Sequence, residues 1–505
     1  MGSVTNPFNL TQFVGPEELL TSSELLERIV RAGIGGDSAR QLIRRKAEGQ
    51  LIWRSERLIL SGGGRLFARR SFRESVAFIP QCLSKLNSLR PGIARAAHAL
   101  LHEEVVLRSR AELLLASPVI PDNSSYPAYQ NEVEALIELG IARVEAADSV
   151  MERLARTSTP GMNAHAVALR SYARASTETV LANLLFAQFR QQNLISWNTK
   201  ALPDKSATLV MFNNFQFSAT GFSWLKPMLR FNGTDKPKPV PVVLDVFAKT
   251  RMTYDVESFI ERLTRAGQNK NRKMAIFGII AAFDFDPAAW KMAKSEGLMA
   301  INLKQHFGDA AFEALVQIQE LLKNVAGEPA KANDEDYKKL ADTLDLLKTN
   351  PYVVDLRSLG FESVSGLIVR THGYENINLN LKVMHKDSEA REVDVSGEKN
   401  GGEELFVVEC KAEAGNKLLD PAYVRKFYTE TVPAFIKSKN NRKIRECRAE
   451  IWTTGQVGPD ALQELNGLKL NPLIKAALLD RAKIKEQIPQ TLGSCARLLE
   501  AIATS

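Results

Sequence analysis

The sequence predicts a multidomain α/β chain in which small helix–hairpin modules precede one α/β module used twice. Three observations predict it. The chain has 505 residues, and at about 150 residues per domain that length holds three or four domains. Helix, turn, helix and a Gly-tipped hairpin follow one another within residues 1–75. The order helix, three strands, helix, strand, helix then occurs twice, over 174–323 and 358–470.

Composition removes several classes. The apolar fraction is 45%, enough for full-sized cores and against a wholly disordered chain. The longest apolar run, Met274 to Phe283, is ten residues, too short to span a bilayer. The first residues, MGSVTNPFNLTQF, lack the basic and apolar regions of a secretory signal. Cys82, Cys410, Cys447 and Cys495 stand at no CxxC spacing, and the six histidines form no HExxH. The expectation is a cytoplasmic protein with no membrane partner.

In the first module (1–75), Ser22 and Ser23 are N-cap residues for a helix whose Leu25, Leu26, Ile29 and Val30 share one face. Gly33 ends it. A second helix runs from Asp37 to Gly49, followed by strand LIWRSERLIL, turn SGGGR and strand RLFARRSF. This is the order of a winged helix-turn-helix. Residues 37–73 carry ten basic residues and three acids, a surplus of seven against +8 for the whole chain. Arg40, Arg44, Arg45 and Lys46 fall on the second helix, and Arg65, Arg69 and Arg70 on the hairpin, where phosphates of double-stranded DNA would be met. The alternative is a solvated face, but acids that interleave such a face are scarce here. The SGGGR turn lacks the GxxxxGK[ST] spacing of a phosphate loop and reads as a wing tip.

Residues 76–155 hold a helix from Pro91 to Leu101, then ELLLASPV and YPAYQNEVEALIELGIARV. They read equally as a second winged helix and as a helical spacer or dimerisation module. RLARTSTPGMN (153–163) and AGEPAKANDEDYKK (326–339) have linker composition. The α/β copies occupy 160–325 and 345–505, with PVPVVLDVFAK placed as EELFVVECKAE is and FDFDPAAWKMAK as GQVGPDALQEL.

The chemistry concentrates in REVDVSGEKNGGEELFVVECKAE, two strands around a turn at Gly397–Gly402. Strand residues alternate faces, so Glu409 and Lys411 point the same way. Asp394 points opposite to Val393 and Val395, the expected core face, and hairpin pairing brings it toward Glu409 and Lys411. Two carboxylates suit Mg²⁺ or Mn²⁺, hard cations that take oxygen ligands and keep waters. A cation held by Asp394 and Glu409 would assist hydrolysis of a phosphodiester, with Lys411 at the water or the phosphate. A plainer reading pairs Glu409 with Lys411 at the hairpin edge and leaves Asp394 solvated. It does not explain two acids converging on one lysine below an apolar strand.

Asp394, fourteen intervening residues, then Glu409-x-Lys411 resembles the PD-(D/E)XK nucleases, the restriction-endonuclease-like superfamily, over roughly a hundred residues. The residue before Asp394 is Val393, where the family pattern has Pro. The resemblance implies a Mg²⁺-dependent endonuclease domain, with Glu362 in FESVSGLIVRTHGY as a further acid on the first helix. It also implies a setting in prokaryotic restriction or antiviral defence, with defence-system partner proteins. The alternative is a catalytically inactive DNA-binding scaffold.

The first α/β copy departs from the pattern and is expected to be degenerate. Asp245 falls at the Glu409 place and Phe247 at the Lys411 place; Lys249 lies two residues on, on the same face, and Asp235 sits in a Lys/Pro-rich turn. One intact copy per chain implies a homodimer if both strands are cut. Lys437, Lys439, Arg442, Lys443, Arg445 and Arg448 form a second basic patch against one acid, Glu446. Lys439, Arg442 and Lys443 are its candidate DNA contacts. Tyr423, Phe427, Tyr428 and Cys410 read as core residues.

Overall fold

The computed structural model describes residues 10–44, 51–118, 129–145, 153–196, 209–226, 229, 237–269, 272–326, 334–346, 353–384, 390–439 and 443–503. The described chain is mixed α/β with several small sheets. It divides into one unit of residues 1–168, 212–216 and 252–274 and a second of 169–211, 217–251 and 275–505. No described helix is long and apolar enough to cross a membrane.

The first unit opens with β1 (Leu19–Thr21), α1 (Ser22–Arg31), α2 (Gly36–Arg44), β2 (Ile52–Arg54) and β3 (Leu66–Arg69). The three strands pair antiparallel in the order β1-β3-β2. The helix–helix–hairpin order is as expected, with a strand added in front. The cap of α1 is Thr21 rather than Ser22 or Ser23: its hydroxyl accepts the Glu24 N–H and the Glu24 carboxylate accepts the Thr21 N–H. The strand expected over 51–60 stops at Arg54 because Ser55 turns the chain. Its buried hydroxyl donates to the Leu58 carbonyl at 2.8 Å and accepts the Leu66 N–H at 3.0 Å. Leu25, Ile29, Ala39 and Phe67 pack into one small core.

The short α3 (Arg70–Arg73) and α4 (Phe78–Leu89) lead to α5 (Pro91–Glu103), β4 (Val105–Leu107), α6 (Arg108–Leu115), α7 (Tyr129–Glu138), β5 (Ala142–Glu145) and β6 (Arg153–Arg156). Their sheet order, β4-β6-β5, repeats the β1-β3-β2 plan. Residues 153–156, expected within a linker, are therefore the central strand, with Leu154 and Ala155 fully buried.

The chain continues through α8 (Gly161–Gln191), the hairpin β7 (Val210–Phe212) and β8 (Phe215–Phe217), β9 (Ala219–Ser223), β10 (Val240–Arg251) and α9 (Thr253–Gly267). The expected strand MLRFN, all but Leu229, lies outside the described residues, as does Asp235. The helix α9 belongs to the first unit. Buried ion pairs fix it there: Arg110 to Asp255 at 2.5 Å and Arg95 to Glu261. The Ser258 hydroxyl donates to the Leu113 carbonyl.

After the small ladder of β11 (Gln268–Asn269) and β12 (Arg272–Lys273) come β13 (Phe277–Phe285), α10 (Pro287–Ser295), β14 (Met299–Asn302), α11 (Leu303–Phe307), α12 (Asp309–Ala326) and α13 (Asp334–Leu346). Part of the expected 326–339 linker is thus helical, and Tyr337, 1% exposed, anchors it. The second copy comprises α14 (Val353–Thr371), β15 (Glu375–Met384), β16 (Ala390–Lys399), β17 (Glu404–Lys411), α15 (Pro421–Lys426), α16 (Val432–Ser438), β18 (Glu446–Thr453), α17 (Pro459–Gly467), β19 (Ile474–Leu479), α18 (Arg481–Glu486) and α19 (Gly493–Ala503).

The two copies share a strand plan. In the first, β9 pairs antiparallel with β10, and β10, β13 and β14 pair in parallel. In the second, β16 pairs antiparallel with β17, and β17, β18 and β19 pair in parallel, with β15 added at the edge. Within the second unit, residues of both copies join one hydrophobic core, which holds Phe186, Val246 and Ile279 as well as Phe361, Val408 and Trp452. The sheet of the second copy is covered on both faces. Phe406 and Val408 face the core under α14 and α19, and Leu405 and Val407 face the cluster under α15 and α16. That explains why LFVVEC is apolar throughout. Gly397 lies within β16, where a Cβ would meet Ile377 at 2.8 Å. The turn itself is Asn400–Gly402.

Candidate active site

The strand β17 carries Glu409 and Lys411 at its carboxyl end, and β16 carries Asp394. Their ladder runs from Lys399↔Glu404 to Val395↔Val408 and stops one residue short of Asp394 and Glu409. Asp394 Oδ2 closes the gap by accepting the Cys410 N–H at 2.7 Å. Val393 and Val395 belong to different clusters, on opposite faces of the sheet. The expected single core face thus gives way at Asp394, where the strand changes the side that it buries.

Lys411 Nζ donates to Glu409 Oε1 at 2.5 Å, and the two side chains are 20% and 16% exposed. Beneath the ammonium, 4.8 Å away, lies the ring of Tyr423. Tyr423 is 47% exposed, whereas Phe427 and Tyr428 are buried as expected. The ion pair of the plainer reading exists, but Asp394 is 4% exposed and is not a solvated acid.

Glu362 reaches the same neighbourhood from α14 and is 3% exposed. The Cys410 thiol reports the convergence. Burial first, then the negative charge of Asp394, hold its pKa well above the ordinary range; a Ser365 hydrogen bond opposes this, while Glu362 and Glu409 add to it. Glu392 is half-buried on β16.

Among the described residues no group of three or more His, Cys, Asp or Glu side chains is spaced to enclose a metal ion. Asp394 and Glu409 offer carboxylate oxygens only, the donor type that Mg²⁺ takes while keeping its waters. They do not fit a closed cage.

The first copy carries other residues at the corresponding places. Its ladder ends at Leu244↔Ala219, so Asp245 stands at the Glu409 place and Ser218 at the Asp394 place. The Ser218 hydroxyl accepts the Val246 N–H at 3.0 Å, as Asp394 accepts that of Cys410. Asp245 is buried and accepts the Ser218 N–H at 3.2 Å. Phe247 fills the lysine place, and the buried Arg251 guanidinium lies 3.2 Å from its ring centroid.

Glu178 on α8 accepts the Ala248 N–H at 3.0 Å. It opens a Glu-Thr-Val run that matches Glu362-Ser363-Val364 on α14. That shared triplet is the sequence signal by which Glu178, and through it the pairing of the first helices, could have been found. Lys249 does not keep the Asp245 face: β10 and β13 slip by one residue between Phe247↔Ala282 and Thr250↔Asp284. This bulge breaks the strand alternation that would place Lys249 on the Asp245 face.

The proposed DNA contacts divide into four groups. Arg40, Arg44 and Arg70 are exposed, Arg40 with Asp37 at 3.5 Å. Arg65 and Arg69 are instead engaged with backbone. Arg65 Nη1 donates to the Ser55 carbonyl at 3.3 Å, and Arg69 donates to the carbonyls of Val14 and Thr11 at 2.9 and 3.0 Å. Arg45, Lys46 and Arg442 lie outside the described residues. In the second patch Lys439 pairs with Glu398 at 2.7 Å and Arg445 with Glu403 at 2.9 Å. Arg448 pairs with Glu450, and Lys443 is exposed. Three of its six cations are therefore paired, Lys439 and Arg445 with acids distant in sequence and Arg448 with an acid two residues on. Comparison with protein-family models, curated proteins and solved structures gives no match, so the site is read on its own geometry.

Proposed function

We propose that the chain is a metal-dependent DNA endonuclease whose chemistry resides in the second α/β copy. The observation that carries the reading is that Asp394 accepts the N–H of Cys410, the residue between Glu409 and Lys411, which pair with each other, while Asp394, Glu362 and Glu409 all act on the Cys410 thiol. Burying such acids costs free energy that their hydrogen bonds and ion pairs only partly offset. Asp394 and Glu409 would hold Mg²⁺ or Mn²⁺, which supplies Lewis-acid charge neutralisation and an activated water. Lys411 would exchange Glu409 for the scissile phosphate as a point charge. Asp394 is held in place by the Cys410 N–H, and Lys411 by Glu409 and Tyr423.

The repeated strand–helix–helix–hairpin plan of the first unit supports a pair of winged-helix modules that engage double-stranded DNA. Arg40, Arg44 and Arg70 are the described contacts we assign to it. A homodimer would supply the second site needed to cut both strands. Prokaryotic restriction or antiviral defence, with partner proteins, is the setting implied by the nuclease resemblance.

A second reading, a DNA-binding scaffold without catalysis, is favoured by the closed Lys411–Glu409 pair. Plasmid cleavage with Mg²⁺ or Mn²⁺ separates the two. The endonuclease reading expects nicking or linearisation that Asp394→Ala and Lys411→Ala abolish. Cutting undiminished in those variants, or gel shifts with no cutting under any divalent cation, would overturn it.

A further inference from the structure

In the first α/β copy a cavity of about 890 Å³ opens beyond the carboxyl ends of β10, β13 and β14. Lys249, Phe283, Asp284, Asn302, Lys304 and Phe312 are among its lining residues. Its volume falls within the range of about 300–1,000 Å³ common for small-molecule sites. Its position is where open α/β sheets receive ligands, outside the carboxyl ends of parallel strands.

The β10 bulge makes this place differ from the second copy. There β17 and β18 stay in register through Lys411↔Thr453, whereas β10 gains a residue between Phe247 and Thr250. The lysine nearest the degenerate site thereby lines the cavity.

The walls are chemically mixed and partly preset. Asn302 Nδ2 donates to Asp284 Oδ1 at 3.2 Å, and Asn302 Oδ1 accepts the Gln305 N–H at 3.1 Å. Asp284 Oδ1 also accepts the Phe285 N–H at 2.9 Å. Both of these Asp284 hydrogen bonds fall on Oδ1, which leaves Oδ2 as an acceptor for a ligand donor. Phe283 and Phe312 meet edge to face with centroids 4.8 Å apart. Lys304 lies 3.6 Å from Asp309, and both are exposed.

A purely apolar ligand would strand the charged groups, and a bare anion would meet Asp284 and Asp309. A planar heteroaromatic group with a hydrogen-bond donor and an attached anion satisfies all three kinds of wall. We propose that the cavity binds one nucleoside monophosphate unit. The base lies against Phe283 and Phe312, a base amine or sugar hydroxyl donates to Asp284, and the phosphate meets Lys249 and Lys304. The unit is either a free nucleotide or an unpaired nucleotide of a bound strand. The site stands on its own residues and does not depend on the nuclease reading, although that reading would make the strand the natural source.

The test titrates the full chain, without divalent cation, with each deoxynucleoside monophosphate by calorimetry. A parallel arm uses labelled duplexes with and without one extrahelical nucleotide. We expect at least one mononucleotide to bind saturably below about 1 mM. Lys249→Ala and Asp284→Asn should each weaken it about tenfold or more, while Asp394→Ala leaves it unchanged. Both substituted side chains lie at the surface of the cavity, and circular dichroism confirms that the variants fold. Preference for the extrahelical duplex that mononucleotides compete away assigns the unit to a strand. Mononucleotide binding without that preference assigns it to free nucleotide. No saturable binding by any mononucleotide, or binding indifferent to Lys249→Ala and Asp284→Asn, overturns the proposal. Loss of plasmid cleavage in Asp394→Ala with nucleotide binding intact keeps the two readings separable.

Discussion

Ser218 and Asp394 occupy one position in two copies of the same sheet, each side chain accepting the N–H of the residue after the paired acid, at 3.0 Å from Val246 and 2.7 Å from Cys410. A hydroxyl is enough to hold the strand ends together there, so the carboxylate of Asp394 is in excess of what structure requires. Asp394→Ser should therefore fold with little loss of melting temperature yet cut DNA at least ~10²-fold more slowly, as removal of one charge-stabilising group does. Ser218→Ala should leave the cleavage rate within about twofold. Initial rates of plasmid nicking for the two variants check both.

The Tyr423 ring under Lys411 offers a smaller effect. A cation over an exposed aromatic ring is worth about 0.5–1 kcal/mol, so Tyr423→Leu should slow cleavage about two- to fivefold. Lys411→Met should slow it by ~10² or more. Equal losses in the two variants would count against Tyr423 as a mere support.

DNA affinity should fall with salt less steeply than the basic composition alone suggests. Arg65 and Arg69 are engaged with carbonyls, so Arg65→Ala and Arg69→Ala should lower the melting temperature and leave the log–log salt slope unchanged. Arg44→Ala and Arg70→Ala should each reduce the slope by about one. Fluorescence anisotropy across a salt series measures it.

Arg110 and Asp255 form a buried pair at 2.5 Å. Arg110→Ala removes the cation that pairs with the buried Asp255 carboxylate and with Glu103, and should cost about 3–5 kcal/mol. The double variant Arg110→Leu, Asp255→Leu should recover much of that loss. Urea unfolding of the set, analysed as a cycle, tests the coupling.

Stability should also weaken in mild acid. Burial, with Arg448 nearby, holds the His372 imidazole below its ordinary value of 6.5, and burial does the same to His306. A depressed pKa means that the unfolded chain binds the proton more readily. The stabilisation is present above about pH 6.5 and is lost as pH falls through the folded value. Melting temperatures between pH 7.5 and 5 should decline, and His372→Phe should flatten that decline. An unchanged profile in the variant would rule out His372 as a contributor.

Much of the α/β plan was legible because its strands are either wholly apolar or alternating. LFVVEC reads as central, and Glu409 and Lys411 follow from alternation alone. Ser218 was not legible, because a serine there resembles any strand-edge serine until the register is known. Lys249 was misplaced because a bulge inserts a residue without a compositional mark. Arg65 and Arg69 were assigned to DNA because a guanidinium bound to backbone carbonyls looks, in sequence, like one facing a phosphate. Residues 153–156 read as a linker in sequence because a four-residue strand beside Ser, Thr, Pro and Gly is too short to show a period.

The chain passes between its two units five times, at residues 168, 211, 216, 251 and 274. Neither unit is an uninterrupted stretch of sequence. Cutting the coding sequence after Ala168 would deprive Arg95 and Arg110 of the acids that α9 brings back to them from 85 or more residues downstream. A truncated product of either half would be born with an unfinished interior. Testing the proposed binding apart from the proposed cleavage is thus a task for point substitutions in the whole chain, or for coexpression of complementary pieces, and not for subcloning.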